Sequence, residues 1–197
     1  MTLLVKVCGL REQHHVDDAV DAGAEALGFV FAASPRQVTP AQARSISEHI
    51  PSHVRRVAVM QHPGNDEWLA VLEQFAPDVL QTDARDFENL EVPESVERWP
   101  VYREGGPAPE TDGTYVYEGP KSGHGETVDW SVAAELAQRG NMVLAGGLNA
   151  DNVAKAIRTV RPFGVDASSG LESAPGQKDS HLITEFINAA KAAEKTL

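Results

Sequence analysis

The chain has 197 residues, 42% of them hydrophobic, and a formal net charge of −12 from 29 acidic and 17 basic side chains. That length predicts one core, a single domain over residues 1–197, and the hydrophobic share excludes a disordered chain. The charge argues against a nucleic-acid or anionic-membrane surface, and no apolar run approaches the roughly 18 residues of a membrane span.

The first run, LLVKV (3–7), reads as a strand and ends at Cys8-Gly9. The N-terminal MTLLVKVCG lacks the apolar stretch of a secretory leader, and a lone cysteine forms no internal disulfide, so the expected compartment is the cytoplasm. Val16, Ala19, Val20 and Gly23 then share one helical face. ALGFVF (26–31) is the second strand, followed by the loop AASPRQ with Arg36. Thr39 is placed as an N-cap with Pro40 at the first helical position, and Ala43, Ile46 and Ile50 line the buried face. RRVAVM (55–60) is the third strand; Asn65 is the expected cap of a helix with the stripe Trp68, Leu72, Phe75 and Ala76.

PDVLQ (77–81) ends near Gln81 and Asp83, and only a weak helical pattern follows. RWPVY (98–102) is followed by REGGPAPETDG (103–113), too rich in glycine and proline for a regular helix, so a loop is expected in place of the fifth helix. TYVYE (114–118) ends at Glu118; after Asp129 come Ala133, Leu136 and Ala137 on one helix. MVLAG (142–146) leads into Gly146-Gly147, and Asn149 is the expected cap of a helix with Val153, Ala156, Ile157 and Val160. FGVDA (163–167) leads into Ser168, Ser169 and Gly170, and Asp179 caps a last helix carrying Ile183, Phe186, Ile187 and Ala190.

Eight strand runs are found, with helical patterns between most of them, and several runs are almost wholly apolar, as parallel strands covered on both faces should be. The predicted fold is a closed parallel (β/α)8 TIM barrel with an irregular or missing fifth helix. The alternative, an open doubly wound sheet, lacks its glycine-rich dinucleotide fingerprint after the first strand.

In such a barrel, functional groups belong at the C-terminal strand ends. There the sequence places Cys8, Arg36, Asp83, Glu118, Gly146, Gly147, Asp166, Ser168, Ser169 and Gly170. The loops after strands seven and eight are the usual phosphate site of barrels, where unobstructed backbone N–H groups and a helix dipole hold the dianion. The bland alternatives are a tight turn at Gly146-Gly147 and a short helix capped by Ser168-Ser169. Lys6 lies two residues before Cys8 and so on the same strand face. It either favours a Cys8 thiolate or forms a structural ion pair inside the barrel.

The segments VKVCGLR, GFVFAASPRQVTP, GHGETVDW, LAGGLNADNV and RPFGVDASSGLESAPGQKD, in this order, resemble the phosphoribosylanthranilate isomerase family of tryptophan biosynthesis. The resemblance implies an Amadori rearrangement of N-(5-phosphoribosyl)anthranilate to 1-(2-carboxyphenylamino)-1-deoxyribulose 5-phosphate, without cofactor or metal. It implies Cys8 as general base, Arg36 on the anthranilate carboxylate, and Gly146, Gly147, Ser168, Ser169 and Gly170 on the phosphate. Asp166 is expected to order this end of the barrel and touch the substrate amine or hydroxyls.

Two positions depart from the family pattern. The strand-six aspartate is replaced by Glu118, expected to be the general acid if apolar neighbours keep it protonated. A histidine after strand four is replaced by Asp83, which is an alternative acid, a positioning group or the cap of a short helix. His124, in the loop after strand six, is read as solvated.

The expected partner is thus a small phosphosugar–anthranilate molecule, with neither nucleic acid nor membrane, and the chain is a monomer or homodimer. One rival is another phosphosugar isomerase or epimerase; a metal-dependent one would need a His/Asp ligand set at the strand ends, where His62 has no obvious partners. The other is a catalytically silent phosphosugar-binding barrel.

Overall fold

A computed structural model describes residues 2–110, 112–120 and 127–196. Eight strands form the closed barrel: β1 (Leu4–Cys8), β2 (Ala26–Val30), β3 (Arg55–Val59), β4 (Val79–Asp83), β5 (Glu97–Arg103), β6 (Thr114–Glu118), β7 (Asn141–Leu144) and β8 (Gly164–Ala167). Every neighbouring pair in it is parallel, and β8 closes on β1 with Lys6 opposite Asp166. The eight predicted strands are all present, each within a residue or two of its expected bounds.

Two apolar layers follow from the alternation of strand side chains. Leu4, Ala26, Val57, Val79, Trp99, Val101, Val116 and Val143 pack together inside the barrel. Val5, Val7, Leu27, Phe29, Ala58, Leu80, Tyr115 and Val165 instead meet the surrounding helices, among them Trp68, Ile157 and Phe186. Moving two residues toward the C-terminal ends changes the interior chemistry. Leu4 gives way to Lys6 and Cys8, Val79 to Gln81 and Asp83, Val101 to Arg103, and Val116 to Glu118; of these Cys8, Gln81, Asp83, Arg103 and Glu118 line the cavity at that end. The apolar floor closes the barrel, and the polar residues above it make a mouth.

The helices are α1 (Gln13–Ala22), α2 (Pro40–Ser47), α3 (Asn65–Phe75), α4 (Trp130–Leu136), α5 (Val153–Val160) and α6 (Ser180–Glu194). Thr39 caps α2 by accepting from the Gln42 N–H, and Asp179 caps α6 by accepting from His181 and Leu182. Gly23 is not on the α1 face but ends that helix in the left-handed region at φ 95. Asn65 is the first helical residue rather than the cap, which is Gly64; the Asn65 side chain accepts instead from the Glu91 N–H. Asn149 works one turn ahead of α5, whose cap is Asn152: its Oδ1 accepts from Asp151 and Asn152, and Asn152 Oδ1 accepts from Asn149.

After β4 the expected weak helix is a short 3₁₀ turn, Ala84–Glu88, and no helix is formed among the described residues between β5 and β6. One element was not anticipated. Beyond β8, a small antiparallel hairpin of β9 (Glu172–Ala174) and β10 (Gln177–Lys178) folds beside the mouth. Among the described residues no helix is long and apolar enough to cross a membrane.

Candidate active site

The mouth is a cavity of 820 Å³ at the C-terminal strand ends. Cys8, Arg36, Asp83, Glu118, Gly146, Gly147, Asp166, Ser168 and Ser169 all line it, so nine of the residues singled out from the sequence share one cavity. His124 lies outside the described residues.

Cys8 is buried at the end of β1, opposite Gly28 of β2. A Cβ on Gly28 would stand 2.9 Å from Cys8 Sγ and 3.2 Å from Lys6 Nζ. Only glycine leaves room there for thiol and ammonium together. Gly28 was missed in the sequence, although a glycine inside a continuous apolar strand is a signal of close approach.

The Lys6 ammonium is fully buried and pairs with Asp166 Oδ2 at 2.9 Å. Burial works against that charge, but Asp166 and then Cys8 outweigh it and hold the Lys6 pKa above its ordinary value. Lys6 therefore forms the structural ion pair, and the same ammonium also favours the Cys8 thiolate. Burial pushes the Cys8 thiol up, Lys6 and Lys178 pull it down, Asp166 pushes it up again, and the upward direction wins.

Arg36 is held by a fork. Its Nε lies 2.7 Å from Glu172 Oε1 and its Nη2 2.9 Å from Glu172 Oε2. Glu172 comes from β9, and its other contacts are Lys178 Nζ at 2.5 Å and the Gly176 N–H at 3.2 Å. Gly9, at φ 80, makes this approach possible: a Cβ there would sit 2.7 Å from Arg36 Cδ and 3.1 Å from Ser168 Oγ. Neither Glu172 nor Lys178 was a candidate from sequence, because the hairpin that presents them was not visible there.

Three buried polar atoms that line or face the cavity have no hydrogen-bond partner among the described residues: Gln81 Oε1, Asp166 Oδ1 and Ser168 Oγ. Buried polar atoms are normally satisfied, and these three belong to residues that line the cavity. Gln81 had been noted only as a strand end. Ser168 makes no capping bond to the 3₁₀ turn Ser169–Leu171, so the bland capping alternative is not what it does. Gly146 and Gly147 have φ 93 and 60. Gly170 has a packing role, since a Cβ there would fall 2.2 Å from the Leu148 carbonyl oxygen of the neighbouring loop.

The β4–β6 side differs from expectation. Glu118 is not surrounded by apolar groups; Arg103 Nη2 lies 3.2 Å from its Oε1. Arg103 Nη1 also donates to Asp83 Oδ1. Asp83 makes no side-chain cap to the 3₁₀ turn; its Oδ2 lies 3.2 Å from His62 Nε2. His62 thus has partners after all, with Nδ1 3.0 Å from Asp86 Oδ1. The hydrogen bond to Asp86 holds the His62 pKa above its ordinary value, against a smaller effect of burial. His62, Asp83 and Asp86 bring three ligand-type atoms within 4.8 Å of one another, so the strand ends are less poor in histidine–carboxylate clusters than the sequence implied.

A closed parallel barrel with a thiol, carboxylates and two glycine- and serine-rich loops around one cavity at its C-terminal end has the architecture of a barrel enzyme. The comparisons make the class specific. Residues 5–189 match the model of the N-(5'-phosphoribosyl)anthranilate isomerase family, and the chain belongs to that family. An N-(5'-phosphoribosyl)anthranilate isomerase of Pelobacter propionicus is 40% identical over 203 residues, covering 95% of each chain. The phosphoribosyl anthranilate isomerase of Thermus thermophilus superposes with a TM-score of 0.83 at 27% identity, covering 96% of this chain and 99% of that one. A phosphoribosyl anthranilate isomerase solved with reduced 1-(o-carboxyphenylamino)-1-deoxyribulose 5-phosphate gives 0.77 at 30% identity, covering 97% and 100%.

Proposed function

We infer that this chain isomerises N-(5-phosphoribosyl)anthranilate to 1-(2-carboxyphenylamino)-1-deoxyribulose 5-phosphate. The observation that carries the reading is the meeting of Cys8, Arg36, Glu118 and the two glycine- and serine-rich loops around one cavity in a chain of this family.

The substrate phosphate is received by the loops of Gly146-Gly147 and Ser168-Ser169, and its ring carboxylate by Arg36. Glu118, carrying a proton in the complex, gives it to the ribose ring oxygen as the C1'–O bond breaks, leaving an open-chain Schiff base. The Cys8 thiolate removes the C2' proton, and the electron pair moves to form the enolamine. A proton returns at C1' as the enol hydroxyl gives the C2' ketone. Asp83 is the alternative acid, or the group that places Glu118 through Arg103. Asp166 Oδ1 and Gln81 Oε1 are free to accept from the substrate amine or hydroxyls. A biosynthetic reaction and a lone thiol support the cytoplasm as its compartment.

The test is turnover by purified protein, followed as the loss of the substrate's anthranilate fluorescence. Decay accelerated by catalytic amounts of protein supports the reading. Tight binding of the reduced product analogue with no decay would instead make the chain a silent binding barrel.

A further inference from the structure

Arg36 meets the cavity with its charge already opposed. Its Nε and Nη2 are taken by Glu172, which leaves Nη1 and the outer Nη2 hydrogen for a ligand. A neutral Arg36–Glu172 pair would be a poor receptor for an anion. Lys178 alters this balance: its Nζ lies 2.5 Å from Glu172 Oε1 and its side chain is only 1% exposed. Lys178 also donates to the Ser168 carbonyl at 3.1 Å, which ties the cluster to the β8 loop. With Lys178 protonated the three side chains together carry one net positive charge, in a setting where water screens little; burial lowers the Lys178 pKa, and the contact with Glu172 opposes that shift. Lys6, beneath the mouth, is already neutralised by Asp166, and Arg103 on the far side is paired with Asp83 and Glu118.

We propose that Lys178 and Glu172 act as positioning residues that set the aim and net charge of Arg36, and so select ligands bearing a ring carboxylate. This rests on the reading of Arg36 as the carboxylate receptor. Glu172 fixes the guanidinium plane through the fork, so the remaining donors point one way. Lys178 absorbs the Glu172 charge, so Arg36 attracts a second carboxylate. The surroundings agree: burial alone would raise the Glu172 pKa, but Arg36 and Lys178 hold it down to about 2, ionised throughout the working range.

The consequence is a rescue that a merely structural network would not give. Removing Lys178 leaves Glu172 to cancel Arg36; removing Glu172 as well restores the positive charge, though less well aimed. The probes are reduced 1-(2-carboxyphenylamino)-1-deoxyribulose 5-phosphate and the same molecule without its ring carboxylate, with Kd measured by calorimetry on folded variants.

Lys178→Met should weaken the carboxylate ligand about 30-fold and the carboxylate-free ligand by less than about 3-fold. Glu172→Gln should weaken only the carboxylate ligand, by about 10-fold. The double variant should bind it better than Lys178→Met alone. Equal weakening of both ligands by Lys178→Met, or a double variant no better than that single one, overturns the proposal. If Lys178→Met does not fold, Glu172→Gln decides by the same comparison of the two ligands. Arg36→Ala is the reference. Equal losses for both ligands there would remove the Arg36 reading itself; selective loss there with unselective loss in the other variants removes only the proposal.

Discussion

On the β8 side of the mouth, Arg36, Glu172 and Lys178 are locked together with side chains no more than 12% exposed, whereas on the β4–β6 side Arg103 bridges Asp83 and Glu118 beside a His62 side chain that is 67% exposed. The first side is paired and nearly dry, with the Arg36 plane fixed before any ligand arrives. That suits binding, where preorganised donors reduce the cost of association. The second opens to solvent at His62, while Asp83 and Glu118 stay 12% and 16% exposed and share Arg103. Sharing leaves each carboxylate less than a full counter-charge, so either takes up a proton more readily than it would with an arginine of its own. The segments that resemble the family most closely build the first side; both departures, Asp83 and Glu118, fall on the second.

Substitution on the β4–β6 side separates the two carboxylates. Glu118→Gln should lower kcat by about 10²–10³-fold, and Asp83→Asn by less than about 10-fold, if Glu118 holds the transferred proton. The reverse ranking, read from kcat of the two variants side by side, would assign the acid to Asp83. Gly28→Ala tests the thiol's seat between the two sides. The added methyl must displace Cys8 Sγ from 2.9 Å, so kcat should fall about 10–100-fold while KM changes little. An unchanged kcat would mean that the placement of Sγ does not limit the reaction.

The pH profile gives a smaller, graded effect. A general base must be deprotonated, and burial holds the Cys8 thiol above its ordinary value. Accordingly kcat/KM of the free enzyme should still be rising above about pH 8.5, the usual cysteine range. A plateau already reached at neutral pH would contradict that direction. The smallest effect concerns stability. Glu172 is depressed to about 2 from an ordinary value of 4.5, so its contribution is fully present above about pH 4.5 and is lost as pH falls toward 2. Urea midpoints should therefore drop over that window for the wild type and less for Glu172→Gln.

The sequence made the barrel legible because each strand carries two readable patterns. One face feeds the helix layer and the other feeds the barrel floor, so Val5, Leu27 and Leu80 alternate with Leu4, Ala26 and Val79. The gathering of Cys8, Arg36 and the loops of Gly146-Gly147 and Ser168-Ser169 around one cavity was legible because strand ends and glycine pairs show in one dimension. The contacts that depend on register were not. Arg103 was counted as the start of a loop, yet β5 continues through it and sets it opposite Glu118. His62 lacked a visible partner because Asp83 and Asp86 reach it only once β3 and β4 are aligned. Lys6 had two possible roles, and its register opposite Asp166 makes the ion pair while its ammonium still acts on Cys8. Glu172 and Lys178 stand on strands of three and two residues, too short for any period to reveal.

The account depends most on Cys8 as the base that takes the C2' proton. Its direct test is the rate of fluorescence loss from N-(5-phosphoribosyl)anthranilate by wild-type protein and by Cys8→Ala, at saturating substrate and a pH where both are folded. A fall in kcat of about 10²–10⁴-fold with KM nearly unchanged is the predicted result. A Cys8→Ala rate within a few-fold of wild type would contradict it and place the base elsewhere in the mouth.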